Sequence, residues 1–192
     1  MTFSAESDLL RMFEKRAPNP AERENLLLES ASDLALPYGE VTSPVCIAFA
    51  LLKMNTPVEA ISRGLSWKEF EHLCAGLIRA SGFEVRENVQ LKKPRAQIDL
   101  VAFGTSVILT VDCKHWSRGH SPSSLKKFAE DQLRRSALLR RSIEDSRPIA
   151  SVILSVSASE GKFVEGVPIV PIRTLGSFVS TFDAYSEMVS FR

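Results

Sequence analysis

Cysteine is scarce in this 192-residue chain: Cys46, Cys74 and Cys113 are odd in number and far apart, which excludes a disulfide framework and a CxxC metal pair. Long apolar runs are missing too. The longest, from Val45 to Leu52, stops at Lys53, well short of the roughly 20 residues a membrane-spanning helix needs. The N-terminus, MTFSAESDLL, has neither the basic start nor the apolar centre of a secretory signal, so a cytoplasmic location is expected. No GxGxxG or Walker-type loop is present, so no nucleotide cofactor is expected. Ser and His form no triad-like grouping, and there is no repeat or low-complexity tract. Net charge is also nearly absent, at +1 from 24 Lys+Arg against 23 Asp+Glu. With 44% hydrophobic and 24% charged residues, the composition is that of a folded globular protein.

That small net charge conceals a segregation. Residues 1–85 carry 8 basic and 12 acidic side chains, residues 86–147 carry 13 and 7, and residues 148–192 carry 3 and 4. The middle segment therefore faces anions, and a polyanion such as nucleic acid would be held there. Part of the excess has a plainer use, because Lys126–Glu130, Lys127–Asp131, Glu130–Arg134 and Asp131–Arg135 are i,i+4 pairs of a solvated helix face.

The first sixty-odd residues read as short helices near 5–16, 20–36, 43–54 and 57–63, several started by a capping side chain before proline, as in Ser43-Pro44 and Thr56-Pro57. Ser66-Trp67-Lys68-Glu69 is a capping box opening a helix to about Ser81, and Phe70, Leu73, Cys74, Leu77 and Ile78 form its core stripe. After Gly82 the pattern turns extended: Phe83–Val89, Gln97–Phe103 and Val107–Cys113 read as strands. Ser121-Pro122 starts a long polar helix to about Asp145. Ile149–Val156 and Val167–Ile172 read as further strands, and Leu175, Phe178, Val179 and Phe182 mark a terminal helix extending to 189. The expected fold is α/β, a central mixed β-sheet flanked by helices, with an N-terminal helical extension over 1–64 and the main domain over 65–192.

Two charges intrude on an apolar strand. In VILTVDC (107–113) almost every position is apolar, as in a strand covered on both faces, yet Asp112 and Lys114 follow at i,i+2 and so point to one side while Cys113 points to the other. Buried charge must be paired, hydrated or bound to a metal. The plain reading of Asp112 and Lys114 is a strand-end ion pair. On the preceding strand Ile98, Leu100 and Ala102 form one apolar face and Asp99 lies on the other. If the two strands form a hairpin across Gly104, Asp99 comes close to Asp112. Two adjacent carboxylates repel, and a hard divalent cation, Mg²⁺ or Mn²⁺, offsets that repulsion.

Helix-borne Glu71, then Asp99, then Asp112-Cys113-Lys114, in this element order, resembles the PD-(D/E)xK restriction-endonuclease-like nucleases, most nearly the Mrr-type endonucleases and archaeal Holliday-junction-resolvase-like proteins. WKEFEHLCAGLIRASGFEV (67–85), QIDLVAF (97–103), ILTVDCKHW (108–116) and IASVILSVSAS (149–159) carry the likeness, over about 66–175. Ile98 stands where the family pattern has Pro, and Asp112 where Glu is commoner. The resemblance implies an αβββαβ core and a metal-dependent DNA endonuclease leaving a 5′-phosphate. Asp99, Asp112 and the Cys113 backbone carbonyl would hold the metal, Glu71 would complete the cluster, and Lys114 would orient or deprotonate the attacking water. Glu71 is preferred to Glu69 because Glu69 has the capping role.

Lys92, Lys93 and Arg95, before Asp99, are the leading DNA contacts; His115, Arg118, Arg134 and Arg135 are further ones, with Trp116 a possible stacking platform. A homodimer is expected, since two copies put two cuts in register, with the terminal helix or the N-terminal helices as its surface. The alternatives are a DNA-binding or assembly module that keeps the fold without turnover, and an enzyme acting on RNA or on free ends.

Overall fold

The computed structural model describes residues 44–53, 56–115, 120–156, 161–182 and 189–191. The helices expected near 5–16 and 20–36 lie outside these residues. The chain divides into two compact units, one through Leu73 and the other from Cys74. In the first, α1 (Pro44–Lys53) and α2 (Val58–Arg63) form as expected. Ile47, Ala48, Ala50, Leu51 and Ile61 are buried.

Helix α3 (Trp67–Ala80) contains the division. Its capping box forms reciprocally: Ser66 N–H donates to Glu69 Oε2 at 2.7 Å, and Glu69 N–H donates to Ser66 Oγ at 3.4 Å. Gly82, at φ +91°, follows the helix in a conformation that costs a residue with a Cβ about 1–2 kcal/mol.

The second unit is built on a six-stranded mixed sheet in the order β1-β2-β3-β4-β6-β5: β1 (Glu84–Lys92), β2 (Arg95–Phe103), β3 (Ile108–Lys114), β4 (Ile149–Ser155), β5 (Lys162–Val164) and β6 (Val167–Pro171). The first three form an antiparallel meander, and β4 runs parallel to both β3 and β6. The expected order of helix, three strands, helix, strand is what forms. β3 and β4 are buried along almost their whole lengths, which is why they read as unbroken apolar runs. β5 is additional to the sequence reading. It is only three residues long and returns into β6 through Glu165 and Gly166, both at positive φ.

Helix α4 (Pro122–Arg140) crosses between β3 and β4. Ser121 caps it by accepting from the Ser124 N–H, with Pro122 in the first turn. It ends at Arg140 rather than near Asp145, because Arg140 donates to the backbone carbonyls of Asp145 and Arg147 and so holds the next residues in a loop. The last helix, α5 (Leu175–Ser180), meets a turn at Thr181, whose hydroxyl and N–H both bond to the Ser177 carbonyl, and residues 183–188 of the expected terminal helix lie outside the described residues.

Along α4, the inward stripe is Leu125, Ala129, Gln132, Ser136 and Leu139. Two of these are polar. Ser136 Oγ meets Thr110 of β3 and Ser151 of β4, each at 2.5 Å, so three buried hydroxyls satisfy one another between helix and sheet. Ser136→Ala leaves the Ser151 hydroxyl without this partner, and urea denaturation is expected to show a loss of about 1–3 kcal/mol.

Beyond α4, Arg147 grips Asp145 through side-chain and backbone hydrogen bonds and donates to the Gly104 carbonyl. These bonds hold the Asp145 carboxyl at about 2 against an ordinary 3.8. A depressed carboxylate stabilises the fold fully above its unfolded value, and this contribution disappears as pH falls through the folded one. Urea midpoints should therefore fall less steeply in Asp145→Asn than in the parent between about pH 4 and pH 2. Parallel curves contradict this role.

Candidate active site

The pleat of β3 places Asp112 and Lys114 on the face toward α4, as Thr110 shows by meeting Ser136. Asp112 is nearly completely buried, with 4% of its side chain exposed, and each of its oxygens meets a different cation. Lys114 Nζ lies 2.8 Å from Oδ2, and Arg135 Nη1, coming from α4, lies 3.0 Å from Oδ1. Asp112 and Lys114 thus form the expected pair, with a third member that the sequence reading had placed on the DNA-facing side. Arg134 beside it remains exposed and pairs with Asp131 at 3.3 Å.

Other α4 residues shape this cluster. Gln132 Oε1 accepts from Arg135 Nη1 at 3.2 Å, which steers the guanidinium toward Asp112. Gln132 Nε2 is the one buried side-chain polar atom without a hydrogen-bond partner among the described residues. The ring of Phe128 lies beneath Lys114, whose Nζ is 5.0 Å from the ring centre, and His120 meets the same ring edge-on.

Asp99 arrives from β2 by a local break in the pleat. β2 and β3 pair as a hairpin across 104–107, and their ladder ends at Leu100↔Val111. On the other side, the β1–β2 register runs over Glu84–Glu87 and resumes at Val89↔Ile98, omitting Asn88, which has φ +53°. The break turns Ile98 into the cluster of Leu91, Val101, Leu138 and Leu139. This corrects the expectation that Ile98 shares a face with Leu100. At the same position the Asp99 carboxylate replaces a ladder bond: Oδ2 accepts the Cys113 N–H at 2.9 Å. Asp99 therefore reaches the Asp112–Cys113 peptide, as a hairpin was expected to arrange.

Cys113 points to the opposite face, where it is fully buried beside Cys74 of α3. Burial first, then the Cys74 thiol, then the charges of Asp99 and Asp112 hold its thiol well above the ordinary cysteine range. It is a packed, fully buried thiol.

Glu71 belongs to the unit ending at Leu73, where its carboxylate accepts the Trp67 indole N–H. Lys92, Lys93 and Arg95 are exposed around the β1–β2 connection, where Lys92 pairs with Arg95 across the ladder. His115 is half-buried after β3. Trp116 and Arg118 lie outside the described residues. No group of three or more His, Cys, Asp and Glu side chains is placed to hold a metal among the described residues. Asp99 and Asp112 do supply hard oxygen donors of the kind Mg²⁺ or Mn²⁺ takes, so the donor chemistry fits. A cation at Asp112 would compete with Lys114 and Arg135 for its oxygens.

Residues 62–137 match the family model described as restriction endonuclease, Mrr_cat. The matched segment is similar to that family. It runs from the end of α2 into α4 and so contains Glu71, Asp99, Asp112, Lys114, Gln132 and Arg135. No curated protein and no solved structure matched the chain.

Sequence reasoning missed the inward roles of Arg135 and Gln132. The available signal was a polar residue on a helical apolar stripe: Gln132 falls at i+7 from Leu125 and i+3 from Ala129. Truncating the shared anion should reveal the cluster. Asp112→Ala leaves Lys114 and Arg135 facing each other and is expected to cost about 3 kcal/mol in urea denaturation. Lys114→Met should cost clearly less, because Arg135 still compensates Asp112.

Proposed function

We propose that this chain is a metal-dependent DNA endonuclease with its site at the end of β3. The observation that supports it best is the meeting of Asp99 and Asp112, from neighbouring strands, at one peptide, with Lys114 on Asp112. Hydrolysis of a phosphodiester by in-line attack builds negative charge on the phosphoryl oxygens, and fixed positive groups in a poorly hydrated pocket stabilise it. Lys114 is mostly buried and anchored at one end by Asp112, so its ammonium is held rather than free-swinging. Its role is to orient the attacking water and to compensate charge on the scissile phosphate. Arg135 fixes the opposite side of Asp112, and Gln132 fixes Arg135.

Asp99, Asp112 and the Cys113 carbonyl would hold the metal, with Glu71 completing the set. A bound Mg²⁺ or Mn²⁺ would supply Lewis-acid stabilisation of the phosphate oxygens. Lys92, Lys93, Arg95, His115, Arg118 and Arg134 are assigned to the DNA backbone, which they would hold by neutralising phosphates. Two copies acting together would cut both strands, leaving 5′-phosphates.

A second reading has its own observation. Asp112 already has a cation on each oxygen, a state suited to a DNA-binding module without turnover. Incubation of supercoiled plasmid, branched DNA and single strands with Mg²⁺, Mn²⁺ or EDTA separates the two. The nuclease reading expects cleavage with metal, reduced at least about 100-fold in Lys114→Ala and Asp112→Asn while DNA binding persists. Binding without cleavage in every metal, by the parent as by the variants, supports the module.

A further inference from the structure

A second concave surface lies in the same unit, away from Asp112, between the β1–β2 hairpin and the C-terminal end of α4. It measures about 370 Å³. Its floor is apolar, from Val89 and Phe103 on the strands and Leu139 and Ile143 on the helix side. Its rim is basic, from Arg86, Lys92 and Lys93, and no acidic residue lines it among the described residues. Arg86 is shared with Glu84 at 3.4 Å, both exposed, whereas Lys92 and Lys93 meet no carboxylate among the described residues. The guanidinium of Arg86 also lies 4.8 Å from the centre of the Phe103 ring, with Arg147 5.8 Å from the same ring. The cleft therefore offers a cation resting against an aromatic ring, an apolar floor, and two exposed lysines at its edge.

We infer that this cleft receives one unpaired nucleotide of a nucleic acid, its base on the apolar floor beside Arg86 and its phosphates at Lys92 and Lys93. The inference rests on the nuclease reading for the identity of the partner. Size favours one base: the volume is at the lower end of ligand pockets, roughly 300–1,000 Å³, and cannot admit a duplex. Chemistry favours a nucleotide, because bases removed from the stack are held by apolar and aromatic side chains and by guanidinium planes, with hydrogen bonds to their edges. Gln90 and Ser142, also in the lining, already donate to Asn88 Oδ1 and the Leu138 carbonyl, and their oxygens can still accept from such edges. Charge agrees, since the cleft lies wholly within the stretch 86–147, which holds the chain's basic excess. Lys92 and Lys93 join it to the proposed DNA path. The substrate so implied is DNA carrying an unpaired nucleotide rather than a fully paired duplex.

The test is fluorescence anisotropy in EDTA, where no cleavage occurs, with a paired duplex, the same duplex bearing a one-nucleotide bulge, and one whose bulge is abasic. The full-length parent should bind the bulged duplex about tenfold more tightly than the paired one, as stacking of one base implies, and the abasic bulge should lose that preference. Ser142→Trp, which fills the cleft, and Ile143→Asp, which makes its floor polar, should abolish the preference and leave paired-duplex affinity unchanged. Thermal melting checks that each variant folds, and an unfolded variant leaves the other to decide. Equal binding of all three duplexes by the parent overturns the inference, as does a preference that survives in the folded variants. So does binding of a poly-glutamate peptide that Ser142→Trp abolishes, if the parent shows no bulge preference. Bulge-selective binding by a chain that cuts no DNA leaves this assignment standing and removes the nuclease reading; cleavage of paired DNA without bulge selectivity does the reverse.

Discussion

A single buried carboxylate organises the candidate site. Asp112 lies near the end of β3, a buried strand made mostly of Ile, Leu, Val and Cys, where an unpaired carboxylate would be costly. It stays compatible with the fold because two cations from different elements reach it, Lys114 from its own strand and Arg135 from the crossing helix. This requirement propagates outward. Arg135 needs a partner to aim it, which Gln132 provides, and Gln132 can be aimed only if the inward stripe of α4 is partly polar. The hydroxyls of Ser136, Thr110 and Ser151 continue that polar seam and fix how the helix registers on β3 and β4.

The order of elements was legible in the sequence because its signals are local. The capping box at Ser66, the glycine at 82, the serine-proline start at 121 and the apolar runs of β3 and β4 each report on a few neighbouring residues, and each formed. Failures arose where distant residues decide. Nothing near Arg140 tells that its guanidinium will tie down the carbonyls of Asp145 and Arg147 and end the helix there. The short β5 exists because β6 offers it an edge, and its own three residues carry little pattern.

The site was legible to a similar depth. The i,i+2 spacing of Asp112 and Lys114 fixed their common face, and the Gly104 turn brought Asp99 alongside. Strict alternation, however, misplaced Ile98, since a left-handed Asn88 on the neighbouring strand breaks the pleat opposite Asp99. Arg135 was hidden by its setting in a basic, salt-laced helix, where i,i+4 arithmetic assigned it to Asp131. Burial chose Asp112 instead, because an ion pair inside a low-dielectric pocket is worth far more than one on a wet helix face. The restriction-endonuclease match over 62–137 stops within α4 and leaves β4 to α5 outside, although β4 completes the seam beneath the site.

In the proposed site Asp99 and Asp112 would act as one oxygen-donor pair. Calorimetric titration of Mn²⁺ into the full-length protein, the Asp99→Asn variant and the Asp112→Asn variant addresses that claim without relying on turnover. One binding event is expected in the parent and its loss in both variants, with each variant still folded. Unchanged Mn²⁺ binding in the two variants, or no binding by the parent, would contradict it.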